Sequence, residues 1–379
     1  MPEPLLPPAL LTRLAARAAA GALRQLPPPE AKLIDFASND YLGVVAAGQL
    51  AAAVHARLLT GGPLAPGATG SRLLTGNSAA AEALEARVAA YHHAEAALLL
   101  QSGYAANLAF FGAVPQRGDT VLYDEAVHAS VRDGLRLGLA KALAFRHHNV
   151  ADLERKLRFA RGTVFVAVES RYSMNGQAAP LPELAAVCQR HGLFLVVDEA
   201  HTTGVSGPGG AGRVVELGLE EAVFARLLTF GKAVGAAGAA WVGPAALRAY
   251  LVNFGRAFIY STGPMPAQVL TLDAAYNLLP TLDAARAQLA VVSAELAAGL
   301  ATVPGLQPGG TGAELVHAAI PHDQTRVRAL AEAARAAGFD ARPIFAPTVA
   351  PGTARLRLIA HAHNTVAEVA GLVASLRAA

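Results

Sequence analysis

The fold of this chain is predicted from one stretch, FLVVDEAH, which runs from Phe194 to His201. An unbroken apolar run that is entered from a loop and ended by an acid indicates a strand buried on both faces, as in a parallel sheet. Ligands of open parallel sheets bind just beyond the carboxyl ends of the strands. We therefore expect the carboxylate of Asp198 and the imidazole of His201 to point into a ligand site.

A second buried strand is predicted over Phe224–Leu228, and it stops at Thr229. Lys232 follows within Gly231–Ala240, a segment of small apolar residues that holds no other charge. A solvated surface lysine fits that setting poorly. An apolar environment also lowers the pKa of a lysine, as Schiff-base chemistry requires.

These four side chains suit pyridoxal phosphate (PLP). The amine of Lys232 can form a Schiff base with the aldehyde, and Asp198 can keep the pyridine nitrogen protonated. His201 can bond the ring hydroxyl, and Thr229 can bond the phosphate. Taken singly, each residue also has an ordinary explanation, since a strand-end acid often caps a helix and most lysines are solvated.

The phosphate is expected at the end of another short strand, Ala96–Leu100. The turn Ser102-Gly103-Tyr104 follows it, and a helix is predicted over Ala105–Phe111. Free N–H groups and the dipole of a helix N-terminus favour an anion at such a turn. Ser102, Gly103 and Tyr104 are therefore the predicted phosphate ligands.

The motif Asp198–Val205, followed by Thr229–Lys232, closely resembles the α-oxoamine synthases, which are PLP enzymes of the aspartate-aminotransferase fold type. The resemblance rests on at least six motifs between about Arg24 and about Asn364. It implies an α/β fold with a mostly parallel central sheet and a smaller C-terminal α+β domain.

Three regions are expected from this resemblance. Residues 1–45 form an N-terminal helix and entry segment, residues 46–271 a large PLP-binding domain, and residues 272–379 the small domain. Within the helical regions we predict one amphipathic helix over Leu10–Leu26 and one long helix from Leu272 to Leu300. A further helix, Ala79–Tyr91, is predicted to carry Glu82 and Glu85 on a solvated face.

The resemblance also implies cofactor contacts that the residues alone do not indicate. It puts His128 flat against the cofactor ring, Ser173 in contact with the cofactor, and Glu169 in the wall of the site. It further implies that Thr262 reaches the PLP phosphate of a partner subunit. The loop 67–77 would also approach the cofactor of that subunit. The active site would then be shared in an obligate homodimer.

Substrate contacts are implied in the same way. Arg24 would reach the acyl substrate, although a solvated helix charge is an equal alternative. Asn39 would lie near the amino-acid carboxylate, and Thr348 belongs to a matching substrate motif.

One position departs from the family pattern. Better-known members carry an arginine for the amino-acid carboxylate three residues before the threonine, and here that position is Phe345. A carboxylate in a desolvated site needs a charged partner, ideally a guanidinium. Arg342 is the first candidate, with Arg355 and Arg357 as further ones.

Composition excludes several classes of function. The chain of 379 residues has 31 Lys and Arg against 28 Asp and Glu, a net charge of +3 that is too small to indicate nucleic-acid binding. The longest charge-free run, Ala96–Gln116, is interrupted by polar residues, so no membrane span is expected. Cys188 is the only cysteine, and His147 and His148 are interpreted as an exposed loop pair. We therefore expect a cytoplasmic protein without a metal site.

The resemblance is greatest to members that condense L-alanine with a pimeloyl thioester in biotin biosynthesis. In that reaction Lys232 would remove the Cα proton as general base, and His128 would donate to the developing oxyanion. Alternatives are condensation of glycine with acetyl-CoA, ordinary transamination, and a non-catalytic protein of the same fold. The carrier of the acyl group, CoA or a carrier protein, stays open at this point.

Overall fold

The computed structural model describes residues 6–24, 26, 33–61, 65–308, 316–321, 323–346 and 348–379. The helices are α1 (Pro8–Ala19), α2 (Gln49–Gly61), α3 (Ala79–Tyr91), α4 (Gly103–Phe111), α5 (Ala129–Leu137), α6 (Val150–Leu157), α7 (Leu181–His191), α8 (Arg213–Glu216), α9 (Ala245–Phe254), α10 (Arg256–Ile259), α11 (Pro266–Leu278), α12 (Asp283–Leu300), α13 (Gln324–Ala336) and α14 (Val366–Arg377). The strands are β1 (Ile34–Asp35), β2 (Ala96–Leu100), β3 (Thr120–Asp124), β4 (Lys141–Phe145), β5 (Val164–Glu169), β6 (Phe194–Asp198), β7 (Ala225–Thr229), β8 (Ala239–Gly243), β9 (Gln307–Pro308), β10 (Val316–Ile320), β11 (Phe339–Asp340), β12 (Arg342–Ile344) and β13 (Arg355–Ile359). Within these ranges, no helix combines the length and the apolar character that crossing a bilayer requires.

The central sheet has seven strands in the order β2-β8-β7-β6-β5-β3-β4. β8 is antiparallel to both of its neighbours, and the other pairs are parallel. Successive residues of β6 pack on opposite faces. Val196 belongs to the buried cluster that contains Trp241, and Leu195 and Val197 belong to the cluster that contains Leu184. The continuous apolar run therefore forms a strand covered on both sides, and the predicted fold class is confirmed.

A smaller antiparallel sheet, in the order β12-β13-β10-β9, lies in the C-terminal part of the chain. The short parallel pair of β1 and β11 joins the entry segment to this part, with Ile34 opposite Phe339. The pairing brings Asn39, a few residues after β1, next to the C-terminal strands. The predicted boundaries at residues 45 and 271 stay predictions.

Two helix predictions are wrong in extent. The predicted helix over Leu272–Leu300 is two helices, α11 and α12, separated by a 3₁₀ turn at Leu279–Thr281. Pro280 causes the break, because proline lacks the N–H of the helical ladder and clashes with the preceding turn. Helix α1 ends at Ala19, and Gly21 follows with φ 61°. That left-handed conformation is typical of glycine just past a helix end.

Two side-chain predictions are also wrong. Glu85 is 3 % exposed and accepts hydrogen bonds from the backbone N–H of Leu99, at 2.8 Å, and from Arg248, at 2.8 Å. The edge strand β2 supplies that unpaired N–H group, so the acid is recruited into the interior. His147 is half-buried, since its Nδ1 lies 2.9 Å from Oδ1 of Asp124.

Candidate active site

A cavity of about 270 Å³ lies at the carboxyl edge of the central sheet. Strands β5, β6 and β7 end there, because the register of the parallel pairs puts Glu169 beside Asp198 and Asp198 beside Leu227. The sequence-predicted residues that line this cleft are Asn39, Ser102, Gly103, Tyr104, His128, Glu169, Asp198, His201, Thr229 and Lys232. The structure therefore brings most of the predicted cofactor ligands together.

Lys232 stands in the turn between β7 and β8. Its Nζ lies 3.4 Å from Oγ1 of Thr229, and the N–H of Gly235 donates to the Lys232 carbonyl at 2.8 Å. Burial lowers the pKa of Lys232, while the carboxyl groups of Asp198 and Glu169 act in the opposite direction. The amine is thus shifted towards its neutral, nucleophilic form.

Asp198 is 8 % exposed at the end of β6. Its Oδ1 accepts the backbone N–H of Ala200 at 3.0 Å, and its Oδ2 accepts from Nδ2 of Asn107 at 3.2 Å. These bonds fix the orientation of the carboxylate inside the cleft. A carboxylate held in this way can receive the N–H of a protonated pyridine.

His201 is buried, and its Nδ1 lies 2.6 Å from the hydroxyl of Tyr41. Burial lowers the pKa of His201 well below its usual value, and the positive charges of Lys232 and Arg357 add to the effect. Burial raises the pKa of Tyr41 to about 12, so its hydroxyl keeps its proton. Sequence reasoning did not give Tyr41 a chemical role, although it lies within the expected entry segment, residues 1–45.

The turn before α4 has the form of a phosphate cradle. Ser102 caps the helix, accepting the N–H of Ala105 at 3.1 Å. A Cβ on Gly103 would lie 2.6 Å from Cγ2 of Thr229, so only glycine permits this approach of helix and strand. Tyr104 is half-exposed at the rim, where its hydroxyl donates to Asp133 at 2.6 Å.

Glu169 joins two loops of the cleft. Its Oε1 accepts the backbone N–H of His128 at 2.6 Å, and the backbone N–H of Ser173 also donates to its carboxyl group. Burial, followed by the nearby charge of Asp198, raises the pKa of Glu169 to about 8. Burial also lowers the pKa of His128, although the side chain is open to the cleft.

The arginine candidates separate clearly. Nη2 of Arg357 donates to Oδ1 of Asn39 at 3.0 Å, and Nε donates to the carbonyl of Ser173 at 2.8 Å. Arg342 instead pairs with Asp340, Nε to Oδ1 at 2.6 Å, and does not line the cleft. Arg357 is therefore the candidate that contacts a residue of the cleft wall.

Four other predicted residues are not among those that line the cleft, namely Arg24, Ser173, Thr262 and Thr348. Nη2 of Arg24 donates to Oγ1 of Thr348 at 3.2 Å. This hydrogen bond joins two predicted substrate residues that lie far apart in the sequence. Thr262 forms an antiparallel bridge with Ser71, so it packs against the glycine-rich loop 67–77.

A group of metal-ligand residue types occurs elsewhere among the described residues. Ligand atoms of Asp35, His361 and His363 lie within 4.8 Å of one another. Nδ1 of His361 is 3.0 Å from Oδ1 of Asn364 and 3.1 Å from the carbonyl of Asp35. These hydrogen bonds account for the position of the ring without an ion.

Comparison with known proteins gives consistent matches. The profile of the aminotransferase class I and II family matches residues 31–376. The 8-amino-7-oxononanoate synthase of Emericella nidulans is 38 % identical over 364 residues, 90 % of this chain and 88 % of that protein. The 8-amino-7-oxononanoate synthase of Anaeromyxobacter sp. (strain K) is 40 % identical over 354 residues, covering 91 % and 86 %. A serine palmitoyltransferase variant from S. paucimobilis, solved with a bound PLP–myriocin aldimine, superposes with a TM-score of 0.88 at 27 % identity. The match covers 98 % of this chain and 96 % of that chain.

Proposed function

The chain belongs to the aminotransferase class I and II family, as a PLP-dependent acyltransferase related to 8-amino-7-oxononanoate synthases, and we propose that it condenses L-alanine with a pimeloyl thioester. The proposed reaction releases CO₂ and gives 8-amino-7-oxononanoate, a step of biotin biosynthesis. The observation that carries the proposal is the single cleft in which Lys232, Asp198 and His201 meet.

The cleft suits PLP. The N-terminus of α4, which Gly103 allows to lie close against Thr229, presents free N–H groups that fit a phosphate group. Asp198 would hold the proton of the ring nitrogen, and His201 would bond the ring hydroxyl. When bound, PLP supplies an electron sink for negative charge at Cα of the amino acid.

Two side chains are proposed to handle protons and charge. Lys232 takes the proton from Cα of L-alanine, a task that its lowered pKa supports because the amine must be neutral to accept it. His128 donates a hydrogen bond to the thioester carbonyl oxygen as negative charge develops there.

The amino-acid carboxylate is proposed to bind at Arg357 and Asn39, in preference to Arg342. The supporting contact is the hydrogen bond from Arg357 to the amide oxygen of Asn39, a residue of the cleft wall. A guanidinium can pair with a carboxylate through two parallel N–H bonds. Arg342 is already paired with Asp340.

The remaining contacts extend the proposal to the acyl group and to a second subunit. Arg24 and Thr348 would bind the acyl substrate, since they are hydrogen-bonded to each other. Thr262 would reach the PLP phosphate of the partner in an obligate homodimer. Its bridge to Ser71 and the exposure of Leu74, at 80 %, support an interface beside this loop.

A substrate panel tests the proposal. Purified protein loaded with PLP is assayed with L-alanine, glycine or L-serine, each combined with pimeloyl, acetyl or palmitoyl thioesters. We expect CO₂ release and 8-amino-7-oxononanoate only from L-alanine with the pimeloyl donors, on CoA or on carrier protein. Turnover of glycine with acetyl-CoA would instead identify a 2-amino-3-ketobutyrate CoA ligase, and release of an α-keto acid without thioester consumption an aminotransferase.

The Lys232→Ala variant is the control for that panel. It should lose both turnover and the visible absorbance band of the lysine-bound cofactor. A variant that kept the band and the activity would refute the role of Lys232.

A further inference from the structure

Two buried polar residues of the cleft have no proposed contact with cofactor or substrate. Asn107 on α4 and Ser130 on α5 are 1 % and 0 % exposed, and both line the cavity. The two helices approach closely at Gly134, where a Cβ would lie 2.7 Å from the carbonyl oxygen of Asn107. This contact lets a short polar side chain on each helix reach the other.

The two residues connect Asp198 to His128 by a chain of hydrogen bonds. Nδ2 of Asn107 lies 3.2 Å from Oδ2 of Asp198 and 2.9 Å from Oγ of Ser130. Oγ of Ser130 lies 2.7 Å from Nδ1 of His128. This chain of hydrogen bonds therefore links Asp198, the proposed partner of the PLP ring nitrogen, to His128, which is expected against the face of the PLP ring.

The direction of these hydrogen bonds follows from the chemistry of the donors. An ionised carboxylate only accepts, so the amide nitrogen of Asn107, and not its oxygen, must face Asp198. The second hydrogen of that nitrogen is donated to Ser130, whose own hydroxyl hydrogen is then left for Nδ1 of His128. The backbone N–H of Ser130 also points at Nδ1, at 3.3 Å. With two donors directed at it, Nδ1 is an acceptor and carries no proton.

We propose that Asn107 and Ser130 are positioning residues that hold His128 in the tautomer protonated at Nε2, so that the ring presents an N–H donor to the cleft. Among the described residues, no protein group pairs with Nε2, so this donor is available to a bound molecule. The lowered pKa of His128 keeps the ring neutral near neutral pH, which preserves the distinction between the two nitrogens. The catalytic consequence rests on the proposed function, because there His128 donates to the thioester oxygen.

The tautomer is measured directly by two-bond ¹H–¹⁵N correlation spectra of the full-length, PLP-loaded protein labelled with ¹⁵N-histidine, without substrate. A His128→Gln sample identifies the signals of His128 among the 12 histidines. We expect a protonated Nε2 and an unprotonated Nδ1. This measurement needs no substitution at Ser130, so it does not depend on whether a Ser130 variant folds.

The Ser130→Ala variant then tests the chain of hydrogen bonds from Asp198 to His128. Loss of the hydroxyl donor should introduce the Nδ1-protonated tautomer and lower kcat for the condensation by about tenfold, the size expected for one lost hydrogen bond, with little change in KM for L-alanine. Ser293→Ala is the matched control, since Ser293 is a buried serine 2.9 Å from Nε2 of His317 in the C-terminal part. It should leave the His128 signals and kcat unchanged.

A protonated Nδ1 in the unmodified protein, or a Ser130→Ala protein with unchanged His128 signals, would overturn the inference. Either result is independent of the substrate panel. Failure of the proposed reaction with the expected tautomer present would instead count against the proposed function alone.

Discussion

The contact between Gly103 and Thr229 yields a quantitative prediction. In Gly103→Ala the new methyl carbon would lie 2.6 Å from Cγ2 of Thr229, whereas ordinary contact begins at 3.4 Å. The strand end and the helix N-terminus must therefore separate by about 0.8 Å. Overpacking of this kind costs about 1–3 kcal/mol.

Two measurements read out this change. The cofactor-free variant should melt about 1–4 °C below the parent, from the entropy of unfolding expected for a chain of this length. Because the phosphate is proposed to bind at the displaced turn, PLP affinity from absorbance titration should fall by roughly tenfold to a hundredfold.

Thr229→Ser supplies the rescue, since it removes Cγ2 and keeps the hydroxyl that faces Lys232. In the double variant the nearest remaining atoms to the new Cβ are at 3.7 Å and 4.0 Å, which is ordinary contact. Gly103→Ala/Thr229→Ser should therefore recover most of the lost stability and PLP affinity. If the double variant were as impaired as Gly103→Ala, or if Gly103→Ala behaved like the parent, the steric reasoning would be refuted.

Three further outcomes are expected. Arg357→Lys should raise KM for L-alanine by about tenfold or more, because an ammonium cannot pair bidentately with a carboxylate. The matched variant Arg342→Lys should change KM by less than about twofold. If steady-state kinetics gave the reverse ranking, Arg342 would again be the candidate ligand of the carboxylate. The pKa of Glu169 is raised from 4.5 to about 8, so its contribution to stability is lost as pH rises through that window. The melting temperature of cofactor-free Glu169→Gln relative to the parent should therefore climb by up to about 6 °C between pH 5 and pH 9, and a flat difference would contradict the buried proton. Mixed dimers of Lys232→Ala and Thr262→Ala subunits should recover activity that neither variant has alone. If the site is shared, one cleft of the mixed dimer combines an intact Lys232 from one subunit with an intact Thr262 from the other. Inactive mixed dimers would put Thr262 in the cleft of its own subunit.

The strand ends of the cleft could be predicted from sequence because they depend on local pattern alone. A buried parallel strand needs a continuous apolar run, and the first polar residue after the run, such as Asp198 or Thr229, falls at the carboxyl edge. The small residues around Lys232 indicated its burial in the same way. The turn at Gly103 was recognisable because a strand, a small residue and a helix follow one another directly.

Contacts between distant segments could not be predicted in this way. The sequence predicts Glu85 on a solvated helix face, but the unpaired N–H of an edge strand recruits that acid. Arg342 and Arg357 are neighbours across β12 and β13, and only the packing of the entry segment decides that Arg357 meets Asn39. Tyr41 likewise acquires a role through the approach of the entry segment to His201.

Burial acts on three titratable groups of this cleft in one direction, towards their neutral forms. It lowers the pKa of Lys232 and of His201, and it raises the pKa of Glu169. A neutral amine can take a proton, and a neutral imidazole can donate a hydrogen bond. Neutral side chains cannot, however, balance the negative charge of an amino-acid carboxylate. A lysine at position 357 would meet the same desolvation, whereas a guanidinium keeps its charge in protein interiors. The burial that lowers the pKa of Lys232 would therefore require an arginine as the proposed partner of the carboxylate.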